Sequence, residues 1–216
     1  MTAATERDEA GADRRERILR AALQAFAEKG FDGASTREIA TRAGVNHGLI
    51  PYYFGAKEKL WQAAVDRAFE KHGEGMQALL DDPEIGDERE RARRLIGAHV
   101  RFVAAHPEFV RLMHDEGRRR GPRMRWIVDR HVKPMYEAIN GLLERGRAGG
   151  SIRADVDPVH FFYVFAGASG LIFHQAEECR RLSGVDPFDP KVVDAHARVV
   201  EEMLLGAISA GSGSAS

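Results

Sequence analysis

A cluster of side chains that can hydrogen-bond to phosphates or to nucleobase edges lies between residues 35 and 59. Arginine binds the O6 and N7 atoms of guanine in a bidentate manner, so Arg37 suits either a base edge or a phosphate. Hydroxyl, amide and ammonium groups bind phosphate oxygens. The segment supplies such groups on Thr36, Asn46, Tyr53 and Lys57. These residue types predict a surface that contacts DNA.

A second group of residues is suited to reading bases directly. His47, Gly48 and Leu49 are predicted to lie at the exposed start of a short helix, where side chains meet base edges. Leu49 offers only apolar contact, for example with a thymine methyl group. Tyr52 can stack on a sugar or touch a base. The alternative for Thr36 and Tyr53 is a purely structural role in capping and packing.

Two short helices and a tight turn must hold these side chains in place. Ser35 followed by Glu38 has the spacing of a capping box, which satisfies free N–H groups at a helix start. Gly44 ends that helix, because glycine adopts a left-handed backbone at little cost. Asn46 is a good N-cap for the second helix, predicted over about residues 47–53. Such a short helix needs support from behind, so the helix–turn–helix over about residues 35–54 predicts DNA binding in the major groove.

Residues 17–69 resemble the TetR family of bacterial transcriptional regulators. The matching motifs, in order, are ILRAALQAFAEKGF from Ile18, T-x-x-I-A from Thr36, AGV at 43–45, Gly48, YYF at 52–54 and K-x-K-L from Lys57. One position departs from the pattern, since Pro51 stands where the family usually has a tyrosine. Proline lacks an N–H and disturbs the helix around it, so a contact common in the family is absent here.

The resemblance implies an all-α fold of about nine helices. It places a three-helix helix–turn–helix DNA-binding domain over residues 14–73 and a larger ligand-binding and dimerisation domain over residues 74–210. Residues 1–13 are small, polar and charged and are expected to be a disordered arm. Residues 211–216, GSGSAS after Ala210 with the flexible composition of a linker, are expected to be a disordered tail.

Bulk composition limits the classes of protein that fit. The 216 residues carry a net charge of −1, so DNA binding must rest on local placement of basic residues. The single cysteine, Cys179, excludes an internal disulfide and fits a reducing compartment. The N-terminus lacks the apolar stretch of a signal peptide, and the apolar run at 159–173 is too short to span a bilayer. A cytoplasmic location is therefore expected.

Apolar periodicity and breakers predict helices throughout the chain. The expected ranges are about 14–29, 57–72, 87–105, 108–117, 123–147, 158–182 and 190–208. Gly73 and Gly75 are predicted to end the fourth helix of the chain, and Pro134 to kink or loosen the long helix around it. The helices over 158–182 and 190–208 carry excess apolar surface. In the resembled family this pair packs on its copy as a four-helix homodimer interface.

The C-terminal part carries aromatic, histidine and methionine side chains suited to lining an apolar cavity with a few polar groups. The candidates are His99, Phe102, Met113, Trp126, Met135, Tyr136, Phe162 and Phe165. Ordinary core packing is the alternative for each of them. The resemblance implies a small-molecule effector in this domain, whose binding changes the spacing of the DNA-binding domains.

The leading interpretation is a dimeric repressor that binds a palindromic operator and is released by a ligand. Two other classes of function are alternatives to it. An enzyme is disfavoured because no nucleophile–base pair, phosphate loop or metal motif is visible, so no catalytic residue, metal or cofactor is predicted. His160 and His174 lie too far apart for a ligand pair on one helix. The other alternative is a helical ligand-binding module with impaired DNA binding, for which Pro51 is the main support.

Overall fold

A computed structural model describes residues 3–209, with side chains from residue 10 onward. Within these residues the chain forms eleven α-helices and one π-helical turn, and its only β-pairing is an isolated bridge between Ile152 and Ser209. The all-α prediction is confirmed. The number of helices exceeds nine because two of the predicted long helices are each divided. No helix among the described residues is long and apolar enough to cross a membrane.

The chain divides into two compact units, and residues up to 71 together with 111–119 form the first. Helix α1 spans Ala3–Gly33 and bends at Gly30, whose φ of 70° is costly for other residues. The first helix, which was predicted to end at Gly30, therefore bends there and continues to Gly33. The helix also begins well before residue 14, so residues 3–13 are helical where a disordered arm was expected. This segment contains no proline, and its Ala, Glu and Arg residues favour helix.

The helix–turn–helix consists of α2, Thr36–Ala43, and α3, Leu49–Phe54. Helix α2 packs against α1. The apolar residues on the inner faces of these helices and of the following helix are buried, as the periodicity predicts. They include Ile18, Leu19, Ala22, Phe26, Ile39, Ala40, Ile50, Phe54, Leu60, Trp61 and Val65. This small core holds the six-residue α3, which would not be stable alone.

Helix α4 spans Lys57–Leu80, so the predicted end near residue 72 is wrong. Gly73 and Gly75 lie inside an unbroken helix, because a helical glycine costs only about 1 kcal/mol and the flanking residues favour helix. The part of α4 up to Lys71 belongs to the first unit, and the part from His72 onward belongs to the second.

The second unit comprises residues 72–110 and 120 onward. Helix α5 spans Glu88–Ala105, and the Asp87 carboxylate caps its start by accepting from the N–H groups of Arg89 and Glu90. Helix α6 spans Pro107–Gly117, and its residues from 111 onward belong to the first unit. Both ranges agree with the sequence prediction to within one residue.

The predicted helix over 123–147 is divided into three parts. Helix α7 spans Pro122–Ile127, a π-helical turn spans Val128–Val132, and α8 spans Lys133–Ala148. The wide turn ends two residues before Pro134. Because proline has no N–H to donate to the preceding turn, the backbone loosens on its N-terminal side, as predicted.

The predicted helix over 158–182 is also divided. Helix α9 spans Pro158–His174 and α10 spans Ala176–Ser183, with the break at Gln175, whose backbone is non-helical at φ −103° and ψ 36°. Helix α11 spans Pro190–Ile208, as predicted, and Asp189 caps it. Residues 211–216, the predicted disordered tail, lie outside the described part of the chain.

The core of the second unit lies where α5 packs against α9 and α11. Its buried residues are Ile96, Val100, Val103, Val110, Leu143, Phe165, Phe173, Ala197, Val200, Leu204, Leu205 and Ile208. Helices α8 and α9 also contact each other, so four helices enclose this region.

Candidate nucleic-acid interface and ligand cavity

The turn between α2 and α3 has the geometry that the sequence predicts. Gly44 adopts a left-handed backbone with φ 63°, and its N–H donates to the carbonyls of Ala40 and Thr41. The Asn46 Oδ1 atom accepts from the Gly48 N–H at 2.8 Å, so Asn46 caps the start of the second helix. Its side-chain NH₂ group remains able to donate to a phosphate oxygen.

A side-chain hydrogen bond joins the starts of the two helices. Thr36 Oγ1 lies 3.1 Å from His47 Nε2, although eleven residues separate them in the chain. Thr36 is half-buried and His47 is exposed. The bond fixes the imidazole at the N-terminal edge of the recognition helix and leaves its Nδ1 atom for another partner. Thr36 therefore positions a predicted base-reading side chain.

The predicted DNA-contacting residues divide into two groups by exposure. Arg37, Asn46, His47, Gly48 and Tyr52 are exposed, whereas Thr36, Leu49, Tyr53 and Lys57 are half-buried. Tyr52 is 78% exposed and makes an edge-to-face contact with Tyr53 at a centroid distance of 5.1 Å. An aromatic side chain this exposed next to a helix–turn–helix suits stacking on a partner.

Lys57 is less free than the sequence suggests. Its Nζ atom lies over the Phe31 ring at 4.7 Å from the centroid and 3.4 Å from the Asp32 carbonyl oxygen. An ammonium group has three hydrogens, so a phosphate contact remains compatible with this position. These contacts restrict the side chain to the junction of α1 and α4.

An ionic network links α2 to α1 behind the interface. Arg42 donates to Glu28 at 2.6 Å and to Glu38 at 2.7 Å, and Lys29 lies 2.8 Å from Glu38. The hydrogen bond from Lys29, with that from Arg42, holds the pKa of Glu38 below its usual range. The Glu38 carboxylate is thus engaged with α1, and only the Ser35 half of the predicted capping box is formed, at 3.2 Å. Arg42 is occupied in this network, while Arg37 points to solvent.

Pro51 lies inside α3 without interrupting it. The residue is exposed, and it falls in the first turn, where backbone N–H groups have no helical partner in any case. The His47 carbonyl, which Pro51 cannot reach, accepts from the Ile50 N–H at 3.1 Å instead. The Pro51 carbonyl in turn accepts from Gly55. Pro51 is therefore compatible with an intact recognition helix.

The second unit encloses a cavity of about 130 Å³ among α4, α5, α8, α9 and α11. Its walls are mostly aliphatic. They are formed by His72, Met76, Leu80, Glu88, Arg89, Ala92, Leu95, Ile96, His99, Met135, Ala138, Ile139, Leu142, Leu143, Ser151, Ile152, Phe161, Phe165, Leu205, Ile208 and Ser209. The size is close to that of an engineered protein cavity, about 150 Å³, that binds benzene.

Three of the eight predicted ligand-contacting residues, His99, Met135 and Phe165, line this cavity. The others lie elsewhere. Phe102 packs on the His72 ring, and Trp126 packs on His131. Tyr136 and Phe162 pack edge to face on each other at 5.7 Å, and Met113 is half-buried in the part of α6 that belongs to the first unit.

Several lining residues were missed by sequence reasoning. His72, Met76 and Leu80 lie on the C-terminal extension of α4, and their spacing of four residues was the available signal. Phe161, and not its neighbour Phe162, faces the cavity. Because α9 is apolar on nearly every side, its sequence does not distinguish an inward from an outward face.

Two buried histidines form the most unusual polar feature of the cavity. His72 Nε2 lies 2.8 Å from His99 Nδ1, and the side chains are only 7% and 8% exposed. Burial lowers the pKa of His72 to about 4, and burial together with the neighbouring His72 lowers that of His99 to about 3. Phe102 and Phe165 pack on the two rings. Both imidazoles are therefore neutral at pH 7.

Helices α9 and α11 leave large apolar side chains exposed. Tyr163 is 70% exposed, Val164 58% and Met203 68%, with Leu171 and Val199 near half. The spacing of seven from Val164 to Leu171, and of four from Val199 to Met203, forms stripes along each helix. Apolar stripes of this kind mark surfaces that contact another molecule.

Among the described residues there is no group of three or more His, Cys, Asp or Glu side chains that could hold a metal ion. The two serines that line the cavity, Ser151 and Ser209, donate their hydroxyl groups to the backbone carbonyls of Gly146 and Leu205.

Comparison with known proteins agrees with this architecture. The family model described as "Bacterial regulatory proteins, tetR family" matches residues 18–64, and "Tetracyclin repressor-like, C-terminal domain" matches residues 89–204. The chain is 30% identical over 160 residues to the HTH-type transcriptional repressor NicS of Pseudomonas putida, covering 72% of this chain and 74% of that protein. It is 29% identical over 160 residues to the repressor AcnR of Corynebacterium efficiens, covering 70% and 74%.

Solved structures show the same fold. The ketosteroid transcriptional regulator KstR2 of Mycobacterium tuberculosis superposes with a TM-score of 0.71 at 22% identity, covering 91% of this chain and 95% of that one. The regulator FadR of Bacillus subtilis, in complex with stearoyl-CoA, gives 0.67 at 22% identity, covering 89% and 98%. With a helix–turn–helix in the first unit and matches over both units, this chain belongs to the TetR family of bacterial transcriptional regulators and is a DNA-binding protein, not an enzyme.

Proposed function

We propose that the protein is a homodimeric repressor that binds a palindromic DNA operator and is released by a small molecule in the cavity of the second unit. The observation that carries the DNA-binding half is the helix–turn–helix with Arg37, His47 and Tyr52 exposed around a capped recognition helix. The observation that carries the ligand half is the apolar cavity with its neutral histidine pair.

Dimerisation is part of the proposed mechanism. A six-residue recognition helix makes too few base contacts for tight specific binding by one protomer. Two copies related by a twofold axis would place two such helices on half-sites about 34 Å apart or a multiple of that. The exposed apolar stripes on α9 and α11, the helices predicted over 158–182 and 190–208, are the surfaces proposed to join the protomers.

In the proposed complex, phosphate contacts orient the protein and base contacts give specificity. Arg37 at the first turn of α2 and His47 and Tyr52 around α3 are the side chains assigned to the DNA surface. The Asn46 amide and Lys57 are assigned to phosphates, and Thr36 acts by orienting His47. Leu49 and Gly48 allow close approach of the helix to the groove floor.

Release by an effector requires that the effector bind the DNA-free conformation more tightly than the DNA-bound one. DNA affinity changes only by the ratio of these two affinities. The names of similar proteins support a repressor with a small-molecule effector. NicS and AcnR are named repressors, and the FadR structure is a complex with stearoyl-CoA.

The experiment that tests the DNA-binding proposal is a selection of random and genomic duplexes by the purified protein, sequenced at two salt concentrations. One enriched palindrome, bound less tightly at higher salt, is expected because phosphate contacts release counterions. Arg37→Ala is expected to weaken binding to that palindrome by about 5- to 150-fold, the range for loss of a base contact. Loss of a phosphate contact would instead lower the salt slope by about 1 and weaken all sequences equally.

The matched control is Arg181→Ala. Arg181 is an exposed arginine on α10, paired at the surface with Glu177 and belonging to the second unit. It should leave operator affinity unchanged. A folded, dimeric, ligand-stripped protein that enriches no sequence would contradict the repressor proposal and support a ligand-binding module with impaired DNA binding.

A further inference from the structure

The cavity of the second unit is lined along three turns of α5. Six α5 residues line it at helical spacing along one face: Glu88, Arg89, Ala92, Leu95, Ile96 and His99. Glu88 and His99 are eleven residues apart, which is about 16 Å along an α-helix at 1.5 Å per residue. The lining is therefore elongated, with charged side chains at the start of α5 and the histidine pair three turns away.

Charged side chains line the cavity at the start of α5. The Glu88 carboxylate lies 3.8 Å from both Arg91 and Arg145. The neighbouring lining residue Arg89 is the other charged group at this end. Between the two ends the α5 wall consists of Ala92, Leu95 and Ile96. The titratable side chains that line the cavity are thus Glu88 and Arg89 at one end and His72 and His99 at the other.

The histidine pair offers one donor and one acceptor in either tautomeric state. In the 2.8 Å hydrogen bond, one of His72 Nε2 and His99 Nδ1 carries the proton. A neutral imidazole has a single N–H, so the donating ring has an acceptor at its second nitrogen. The accepting ring has an N–H there. The donor and acceptor positions are interchanged when both rings change tautomer together, and each ring is neutral in both arrangements.

Burial of the histidine pair makes a charged ligand group unfavourable at the histidine end of the cavity. An anion would be matched by an imidazolium, but burial among Phe102, Phe109 and Phe165 holds the histidine pKa values far below neutrality. A cation would need a carboxylate nearby, and the cavity's one carboxylate is Glu88, at the far end. An unpaired charge in such an environment costs more than a neutral hydrogen-bonding group.

We propose that the cavity binds an elongated, uncharged and mainly apolar molecule whose hydroxyl or carbonyl group hydrogen-bonds to the His72–His99 pair. This inference rests on the proposed role of the second unit as an effector-binding domain and specifies the chemistry of the effector. A hydroxyl can bind either outer nitrogen of the pair because it can donate and accept, whereas a carbonyl can bind only the outer nitrogen that carries an N–H.

The test is isothermal titration calorimetry of the full-length protein at pH 8 with three probes of equal chain length: 1-hexanol, hexanoate and hexylammonium. Only the alcohol is uncharged at this pH. It is expected to bind at least tenfold more tightly than either ion. Equal or tighter binding of hexanoate or hexylammonium would overturn the proposal, as would the absence of any binding of 1-hexanol. This comparison uses the unmodified protein and does not depend on the folding of a variant.

A variant then assigns the selectivity to the histidines. The double substitution His72→Leu with His99→Leu removes both rings together, so neither is left as an unpaired buried polar group. It is expected to weaken 1-hexanol binding about tenfold, as for one hydrogen bond, and to leave toluene binding within about twofold. The control His160→Leu changes an exposed histidine outside the cavity lining and should alter neither.

Unchanged 1-hexanol affinity in the double variant would refute the role of the pair. These measurements are made without DNA, so their failure leaves the operator selection and its Arg37 variant as an independent test of the regulator itself.

Discussion

Acid should destabilise the second unit through the His72–His99 pair. In the folded protein their pKa values are lowered to about 4 and about 3, whereas an unfolded histidine titrates near about 6.5. Between these values the unfolded chain binds protons that the folded chain does not, so the free energy of unfolding falls as the pH falls. Above about pH 6.5 both states are neutral and the effect vanishes.

The size of the effect follows from the proton linkage. Each histidine costs about 1.4 kcal/mol per pH unit once the unfolded state is largely protonated. Lowering the pH from 7.5 to 5.5 should therefore remove on the order of 3 kcal/mol from the free energy of unfolding, counting both residues. The carboxylates with lowered pKa values, such as Glu16 and Glu38, add their loss mainly below about pH 4.5. Glu201, whose pKa is raised by burial, acts in the opposite direction.

Urea unfolding at fixed protein concentration, followed by far-ultraviolet circular dichroism at several pH values, measures this slope. The double variant His72→Leu with His99→Leu retains Glu201, all other histidines and all carboxylates, so their effects cancel in the comparison. The variant should lose about 3 kcal/mol less than the wild type between pH 7.5 and 5.5. Equal losses in the two proteins would refute the assignment of neutral, buried imidazoles.

Three further substitutions test other parts of the structure. Thr36→Val removes the hydrogen bond to His47 and should weaken binding to the selected operator about 3- to 10-fold in fluorescence anisotropy, with an unchanged circular dichroism spectrum; unchanged affinity would show that the bond does not orient the imidazole. Gly146→Ala would place a methyl group 2.7 Å from Ile152 Cγ1, so Ile152 must shift. This overpacking should cost about 1–3 kcal/mol of stability and, since Ile152 lines the cavity, should change 1-hexanol binding. Unchanged stability would contradict the close contact between Gly146 and Ile152, and unchanged 1-hexanol binding would contradict the place of Ile152 in the cavity wall. Met203→Glu puts a charge on the exposed stripe of α11 and should shift the dimer toward monomer in sedimentation velocity, whereas an unchanged dimer would exclude this stripe from the interface.

Local signals in the sequence determined the DNA-binding unit. Ser35, Gly44 and Asn46 act through backbone conformation and hydrogen bonds within four residues of themselves, so their roles can be predicted from the local sequence. The apolar stripes of α5 and α11 likewise fixed their ranges to within one residue. The helix–turn–helix followed from these signals, and the all-α class followed from apolar periodicity together with the resemblance to the TetR family.

Tertiary structure decided where α4 ends and which face of α9 is turned inward, because the local sequence only weakly favours one outcome in each case. Gly73 and Gly75 weaken a helix only slightly, and the chain continued through them, which brought His72, Met76 and Leu80 to the cavity. Because α9 is apolar on nearly every side, its sequence does not indicate which face is turned inward. Packing alone determines that Phe161 lines the cavity and Phe162 does not.

The histidine pair could not be foreseen either, because its members are 27 residues apart and meet only when α4 and α5 pack together. The sequence thus determined where most helices lie and which segment forms the helix–turn–helix. Long-range packing determined which side chains surround the cavity, because burial and pairing between distant residues are properties of the folded chain.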